Sequence, residues 1–182
     1  GLMFMHSPGI LAQTPTVYTS SAGDTVTLNA YEEERVALLL PGTSWDPAVI
    51  DHLVKEMDFF WQHYRTALGR DPAPLKVYNR KATLAVVPPN IAGAAVGYVG
   101  ATGVEMGDGL FPNWYETSKG CFDAHFVFAY EYGRNFYFYS GKLDGGPTQG
   151  SHDWSRIFGA TVYYPGIFNW WKSQGQTESA LW

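Results

Sequence analysis

The sequence contains only one cysteine, Cys121, so no disulfide can form within the chain. Charged residues make up only 16% of its 182 residues, the net charge is −5, and Lys and Arg never occur in a run. Such a composition argues against a nucleic-acid partner or an anionic membrane surface. No apolar stretch approaches the roughly 20 residues needed to span a bilayer. We therefore expect no membrane insertion.

The first ten residues, GLMFMHSPGI, have no basic region and no small-residue cleavage site. They are therefore not expected to be an intact signal peptide. The lack of disulfides favours a reducing compartment only weakly. We expect a secreted or cell-surface protein, and a cytoplasmic location remains the alternative. The sequence makes no prediction of the oligomeric state.

Apolar and aromatic residues are abundant, at 46% and 16% of the chain, which is enough to fill a sizeable core without metal or disulfide. Residues 14–30 read as two strands around a Ser-Ser-Ala-Gly-Asp turn, and the apolar run at 34–40 reads as a buried strand. The hairpin is interpreted as an edge addition or the remnant of a preceding β-domain. The predicted division is a hairpin extension over 1–33 and an α+β domain over 34–182.

Residues 46–68 carry the clearest helix pattern, with apolar residues at helical spacing. Asp46 is a typical N-cap, Pro47 suits the first helical position, and Gly69 provides a C-terminal stop. His52 and His63 would lie about 16 Å apart along this helix. They are therefore expected to be flanking histidines and not ligands of one metal.

The following segment predicts one or two strands, including residues 82–87, and then a glycine-rich extended stretch over 94–106. Its glycines do not open a helix and no Lys-Ser/Thr follows, which excludes a phosphate-binding loop. Residues 107–121 are predicted to be a loop.

The aromatic segment over 126–139, FVFAYEYGRNFYFY, has two interpretations. Its aromatic residues favour a strand, with Gly133 in a hairpin loop. The alternative is a buried helix over 123–139, capped by Asp123 and ended by Gly141. In that helix Glu131 and Arg134 would be at i and i+3.

The order of elements decides between these interpretations. A strand, a long helix, a strand, a glycine-rich edge stretch and a second helix resemble the N-terminal half of zincin metallopeptidases, and the resemblance spans residues 34–140. The zincin active-site helix carries H-E-x-x-H, and YEYGR, from Tyr130 to Arg134, matches its Glu. The resemblance implies an α+β zincin-like fold: a small mixed sheet, whose glycine-rich edge strand packs on a long helix, and a buried central helix.

The two positions that would hold zinc are Tyr130 and Arg134. Zinc sites of this kind need two histidines on one helix face, and arginine brings a fixed positive charge instead. The third ligand of the gluzincin relatives is missing as well, since no acidic residue lies between Asp153 and Glu178. The active site is thus degenerate, and no cofactor is expected. Zinc would enter only through an unrecognised site that used His125 or His152.

Glu131 is the remaining candidate catalytic residue, as a general base, but an ion pair with Arg134 is the favoured interpretation. The favoured function is a non-catalytic metallopeptidase-like domain that binds a peptide or another ligand in the former cleft, by strand addition to residues 94–106. The alternatives are a carbohydrate-binding module that uses the seven tryptophans and twelve tyrosines, and an active hydrolase. The candidate cleft residues are Gly97, Tyr98, Val99, Gly100, Tyr130 and Arg134.

Overall fold

The structure, a computed structural model, describes residues 14–92, 94–119, 126–138, 162 and 164–175. These residues form an α+β fold with a mixed seven-stranded sheet and four helices. The strands are β1 (Thr14–Thr19), β2 (Thr25–Glu32), β3 (Val36–Leu40), β4 (Val77–Tyr78), β5 (Lys81–Val87), β6 (Ala95–Gly97) and β7 (Val104–Gly107). The helices are α1 (Pro47–Leu68), α2 (Phe111–Thr117), α3 (Phe126–Arg134) and α4 (Tyr164–Ser173).

The sheet runs in the order β1-β2-β3-β5-β7-β6, with β4 paired to β5. The pairs β3–β5 and β5–β7 are parallel, and the other pairs are antiparallel. The predicted hairpin over 14–30 is confirmed, and its second strand pairs with β3 in the same sheet.

Alternating side chains of the central strands pack on the two faces of the sheet. Leu38, Leu84 and Met106 belong to the large core shared with the helices. Leu39 and Ala85 belong to a smaller apolar cluster on the opposite face. The strand β3 is buried on both faces, as its continuous apolar run predicts.

Helix α1 confirms the predicted caps. The Asp46 side chain accepts a hydrogen bond from the backbone N–H of Ala48, and Gly69 ends the helix with a left-handed φ of 72°. The Nε2–H of His63 donates a hydrogen bond at 2.7 Å to the carbonyl oxygen of Val162, and Gly166 of α4 packs against its ring. His63 therefore holds the C-terminal helix on α1.

Helix α3 confirms the helical interpretation of the aromatic segment, and the strand interpretation is wrong. The helix ends at Arg134 and not near residue 139, because the chain turns there. The N–H groups of Phe136 and Tyr137 bond to carbonyls three residues back, which tightens the chain into turns. Residues 123–125 and 139–141 lie outside the described residues.

Two further expectations need correction. The predicted loop over 107–121 contains helix α2, because Phe111, Trp114 and Tyr115 gain burial in the core by forming one apolar face. The stretch over 94–106 is not one edge strand: β6 lies at the edge, whereas β7 lies inside between β5 and β6. Pro165 occupies the first turn of α4, where no backbone N–H is needed. Among the residues described, none of the helices is long and apolar enough to cross a membrane.

Candidate functional site

The glycine at position 97 brings β6 into direct contact with α3. A Cβ at this position would lie 1.8 Å from the backbone oxygen of Glu131 and 2.8 Å from its carbonyl carbon. Any other residue would push the strand away from the helix, so the contact depends on glycine. The edge strand of the sheet is thus packed on the backbone of the segment that carries Glu131.

The carboxylate of Glu131 joins the helix to this strand. Its Oε2 atom accepts a hydrogen bond from the Gly97 N–H at 2.8 Å and one from the Arg134 guanidinium at 3.1 Å. The residue is 8% exposed. The predicted Glu131–Arg134 ion pair is confirmed. Charge-assisted hydrogen bonds of this kind are stronger than neutral ones, so the carboxylate is held in place.

Asn135 holds the turn between β6 and β7 against the end of α3. Its Oδ1 accepts from the Gly103 N–H at 3.0 Å, and its Nδ2 donates to the carbonyl oxygens of Tyr98 at 3.0 Å and Gly103 at 2.9 Å. The Gly100 N–H donates to the carbonyl oxygen of Arg134 at 3.0 Å and satisfies a helix-end acceptor. The Asn135 side chain and the Arg134 carbonyl oxygen therefore both fix this turn at the end of α3.

These contacts change the expectation of strand addition along residues 94–106. The N–H of Tyr98 donates to the Gly103 carbonyl oxygen, and the N–H of Gly107 donates to the Ala94 carbonyl oxygen. Because alternate residues of a strand bond to the same neighbour, Gly97, the residue before Tyr98, directs its N–H away from β7. That outward N–H is occupied by Glu131, and the Gly100 N–H is occupied by Arg134. By the same alternation Ala95, whose side chain is buried in the main core, directs its backbone groups away from β7.

The structure brings some of the predicted cleft residues together and separates others. Gly97, Gly100 and Arg134 meet at the end of α3, beside Val99, which is 42% exposed. Tyr130 is half-buried against the main core. The Tyr98 hydroxyl points to the opposite face of the sheet, where it donates to Glu105. The predicted cleft is therefore a small rim on one side of β6.

The residues at this site do not fit the zinc ion that a zincin-like fold implies. Tyr130 and Arg134 stand at the two helix positions that would supply histidine ligands, and the Arg134 guanidinium already contacts the Glu131 carboxylate. In the described part of the chain, no group of three or more His, Cys, Asp or Glu side chains is arranged to hold a metal. His125, His152 and Cys121 lie outside the described residues.

Sequence reasoning missed a second polar cluster, centred on Glu105. This residue is 2% exposed. Its Oε1 accepts from the Tyr18 hydroxyl at 2.9 Å, the Ser21 N–H at 2.7 Å and the Tyr98 hydroxyl at 3.1 Å. Its Oε2 accepts from the Ser21 hydroxyl at 2.6 Å. The feature of the sequence that could have indicated this cluster is the single acidic residue between Val104 and Met106 in an otherwise apolar strand.

The protonation of both tyrosines is set by this cluster. Burial, and next the nearby Glu105 carboxylate, raise the pKa of Tyr98 to about 12. The same two causes, burial first, raise the pKa of Tyr18 far above its usual range. Both phenols therefore remain hydrogen-bond donors to Glu105 at neutral pH. The Lys76 ammonium lies 5.3 Å from the Tyr18 ring centroid and 6.0 Å from that of Tyr98.

The tryptophans that the structure describes are placed for packing. Trp61, Trp114 and Trp170 are buried in the main core, and Trp45 and Trp171 pack against it. Of the aromatic residues that the structure describes, only Tyr164 is largely exposed. These positions do not favour the stacking platform that a carbohydrate-binding module would need.

Fold and site together define an α+β protein in which Glu131, paired with Arg134 on a central helix, accepts a hydrogen bond from the edge strand of a mixed sheet. Comparison of the chain with family models, with curated proteins and with solved structures finds no match.

Proposed function

We propose that this chain is a non-catalytic, zincin-like domain of an exported or cell-surface protein, and that it binds an extended peptide at the rim between β6 and α3. The observation that carries the proposal is the state of Glu131. In a metallopeptidase this glutamate activates a metal-bound water. Here its Oε2 atom is committed to the Gly97 N–H and the Arg134 guanidinium.

The position of α3 supports the zincin-like part of the proposal. The glycine-rich β6–β7 hairpin comes before α3 in the chain, with the short helix α2 between them, and its outer strand lies at the sheet edge and packs on α3. Apart from α2, this order of elements is the one that carries the resemblance in the sequence. Substitution of the two ligand positions by tyrosine and arginine then replaces a metal site with an ion pair that stabilises the helix–strand contact.

The peptide-binding part rests on the exposed apolar residues of the rim. Val96 is 51% exposed and Val99 is 42% exposed. A peptide paired with the outward-facing groups around Ala95 would place its side chains beside them. Because Gly97 and Gly100 use their N–H groups internally, such a peptide would gain few backbone hydrogen bonds. We therefore expect weak binding that depends on apolar contact.

The catalytic part is tested with the substitution Glu131→Gln. Loss of the charge pair and of a charge-assisted hydrogen bond should lower the free energy of unfolding by about 1–3 kcal/mol. The matched control is Glu116→Gln, because Glu116 pairs with Lys119 at the same i, i+3 spacing on an exposed surface, where little change is expected. Stability is measured by urea unfolding.

The same proteins are assayed for cleavage of fluorescent casein, with and without added zinc. We expect no cleavage by the wild-type chain under either condition. Cleavage that disappears in a folded Glu131→Gln variant would establish a catalytic Glu131 and overturn the proposal.

The binding part is tested by titrating isotope-labelled protein with peptides from a casein digest. We expect amide shifts confined to Val96, Val99 and their neighbours, and we expect Val99→Asp to abolish them. Shifts that persist in that variant would place the binding surface elsewhere.

A further inference from the structure

The N-terminal hairpin reaches across the sheet to a strand that is not its neighbour. Four steps in strand order separate β1 from β7, which in a flat sheet would be roughly 19 Å. The Tyr18 hydroxyl nevertheless lies 2.9 Å from Glu105 of β7. The hairpin therefore curls over the sheet face that lies opposite the helices, and it covers the smaller apolar cluster there.

The hairpin tip is attached at this point by polar contacts. Ser21, in the turn, contributes both its N–H and its hydroxyl to Glu105. The Lys76 ammonium donates to the carbonyl oxygen of Thr19. In β1, Tyr18 is the buried residue, and the others are exposed or half-buried. The attachment of the tip thus depends on one buried carboxylate and few apolar contacts.

Glu105 also reaches the turn that α3 holds. Tyr98 donates its hydroxyl to Glu105 and accepts a hydrogen bond from Asn135 at its carbonyl oxygen. The residue before it, Gly97, donates to Glu131. A single short segment therefore connects the hairpin attachment on one face of the sheet with the end of α3 on the other.

We propose that Glu105 is a latch that holds the β1–β2 hairpin closed over the sheet, and that the hairpin opens as a unit when this carboxylate loses its donors. When the Glu105 carboxylate itself is removed, the Tyr98 hydroxyl also loses its acceptor, and the turn between β6 and β7 loosens. This proposal does not depend on the proposed function, because it concerns only contacts within the chain.

The test compares amide hydrogen exchange in three variants. Ser21→Ala removes one of the four hydrogen bonds at Glu105 and leaves that of Tyr98 intact. It should accelerate exchange roughly tenfold over residues 16–28, the part of the hairpin that does not pair with β3, with β3, β5 and the Gly103 amide unchanged. Glu105→Gln should accelerate exchange in the hairpin more strongly and should also accelerate exchange at Gly100 and Gly103.

Thr27→Ala is the control, because Thr27 is an exposed residue of the same hairpin; it should leave exchange unchanged. If Ser21→Ala leaves the hairpin as protected as in the wild-type chain, the latch does not exist. If exchange rises equally in β3 and β5, the hairpin does not open as a unit and the proposal is wrong. If Glu105→Gln fails to fold, the Ser21→Ala result still decides whether the proposal holds.

Discussion

Replacement of Gly97 by alanine is the most direct test of the contact between β6 and α3. The added Cβ would lie 1.8 Å from the Glu131 backbone oxygen, whereas close C···O contacts are about 3.3 Å. The strand and the helix would have to separate by about 1.5 Å at this point. Such a shift would also lengthen the 2.8 Å hydrogen bond from the Gly97 N–H to the Glu131 carboxylate.

The expected loss of stability has two parts. Overpacking in a well-packed region costs about 1–3 kcal/mol, and a buried hydrogen-bonding group that loses its partner costs about 1–3 kcal/mol. We therefore expect Gly97→Ala to lower the free energy of unfolding by about 4 kcal/mol. For a chain of this size that corresponds to a decrease in Tm of roughly 8–16 °C. Urea unfolding and a thermal scan both measure it.

Gly109→Ala provides the matched control, because a Cβ at Gly109 meets no atom within 4 Å. This substitution should change stability by less than about 1 kcal/mol, and in the stabilising direction, since alanine restricts the unfolded chain. If Gly97→Ala were as well tolerated as Gly109→Ala, the strand would not lie against the helix backbone, and the account of the site would be refuted.

Three other predictions follow from single contacts. Asn135→Ala should lower the free energy of unfolding by about 2–4 kcal/mol in urea, because three buried hydrogen bonds to the turn are lost; a loss below about 1 kcal/mol would contradict this role. Arg80→Gly should raise the Tm, because Arg80 has a left-handed φ of 65° in the β4–β5 turn and such strain costs about 1 kcal/mol; an unchanged or lower Tm would contradict it. Stability should fall between pH 10 and about 12, because the unfolded chain ionises Tyr98 near its usual pKa of about 10, whereas the folded chain keeps it protonated up to about 12. Tyr98→Phe should make this decrease in stability shallower, as followed by circular dichroism, and an identical pH profile would contradict the prediction.

Elements with a strong periodic pattern were predictable from the sequence. Helix α1 has apolar residues at helical spacing and both of its capping residues, and it lies where the sequence places it. The short buried strands β3 and β5 follow from continuous apolar runs. Local interactions within a few residues control these elements, so the sequence pattern is sufficient.

Helix α3 shows where local pattern fails. Its aromatic residues favour a strand when considered alone, but they pack as a buried helix against Trp61 and Tyr64 of α1. Helix α2 was missed for the same reason: burial of Trp114 in the main core, where it stacks on Phe128 of α3, outweighs its loop-like composition. Packing energy from distant parts of the chain decides such segments.

The sequence by itself determined the long helix and the central strands, and it predicted that Tyr130 and Arg134 occupy the positions of zinc ligands in a zincin. It also predicted the pair of Glu131 and Arg134, because residues at i and i+3 meet on any helix. Only the tertiary structure brought the Gly97 N–H to that carboxylate, and only it brought Ser21 to Glu105, 84 residues away in the chain. Contacts of such long range depend on how the sheet curls and how the helices pack, and no local pattern encodes them.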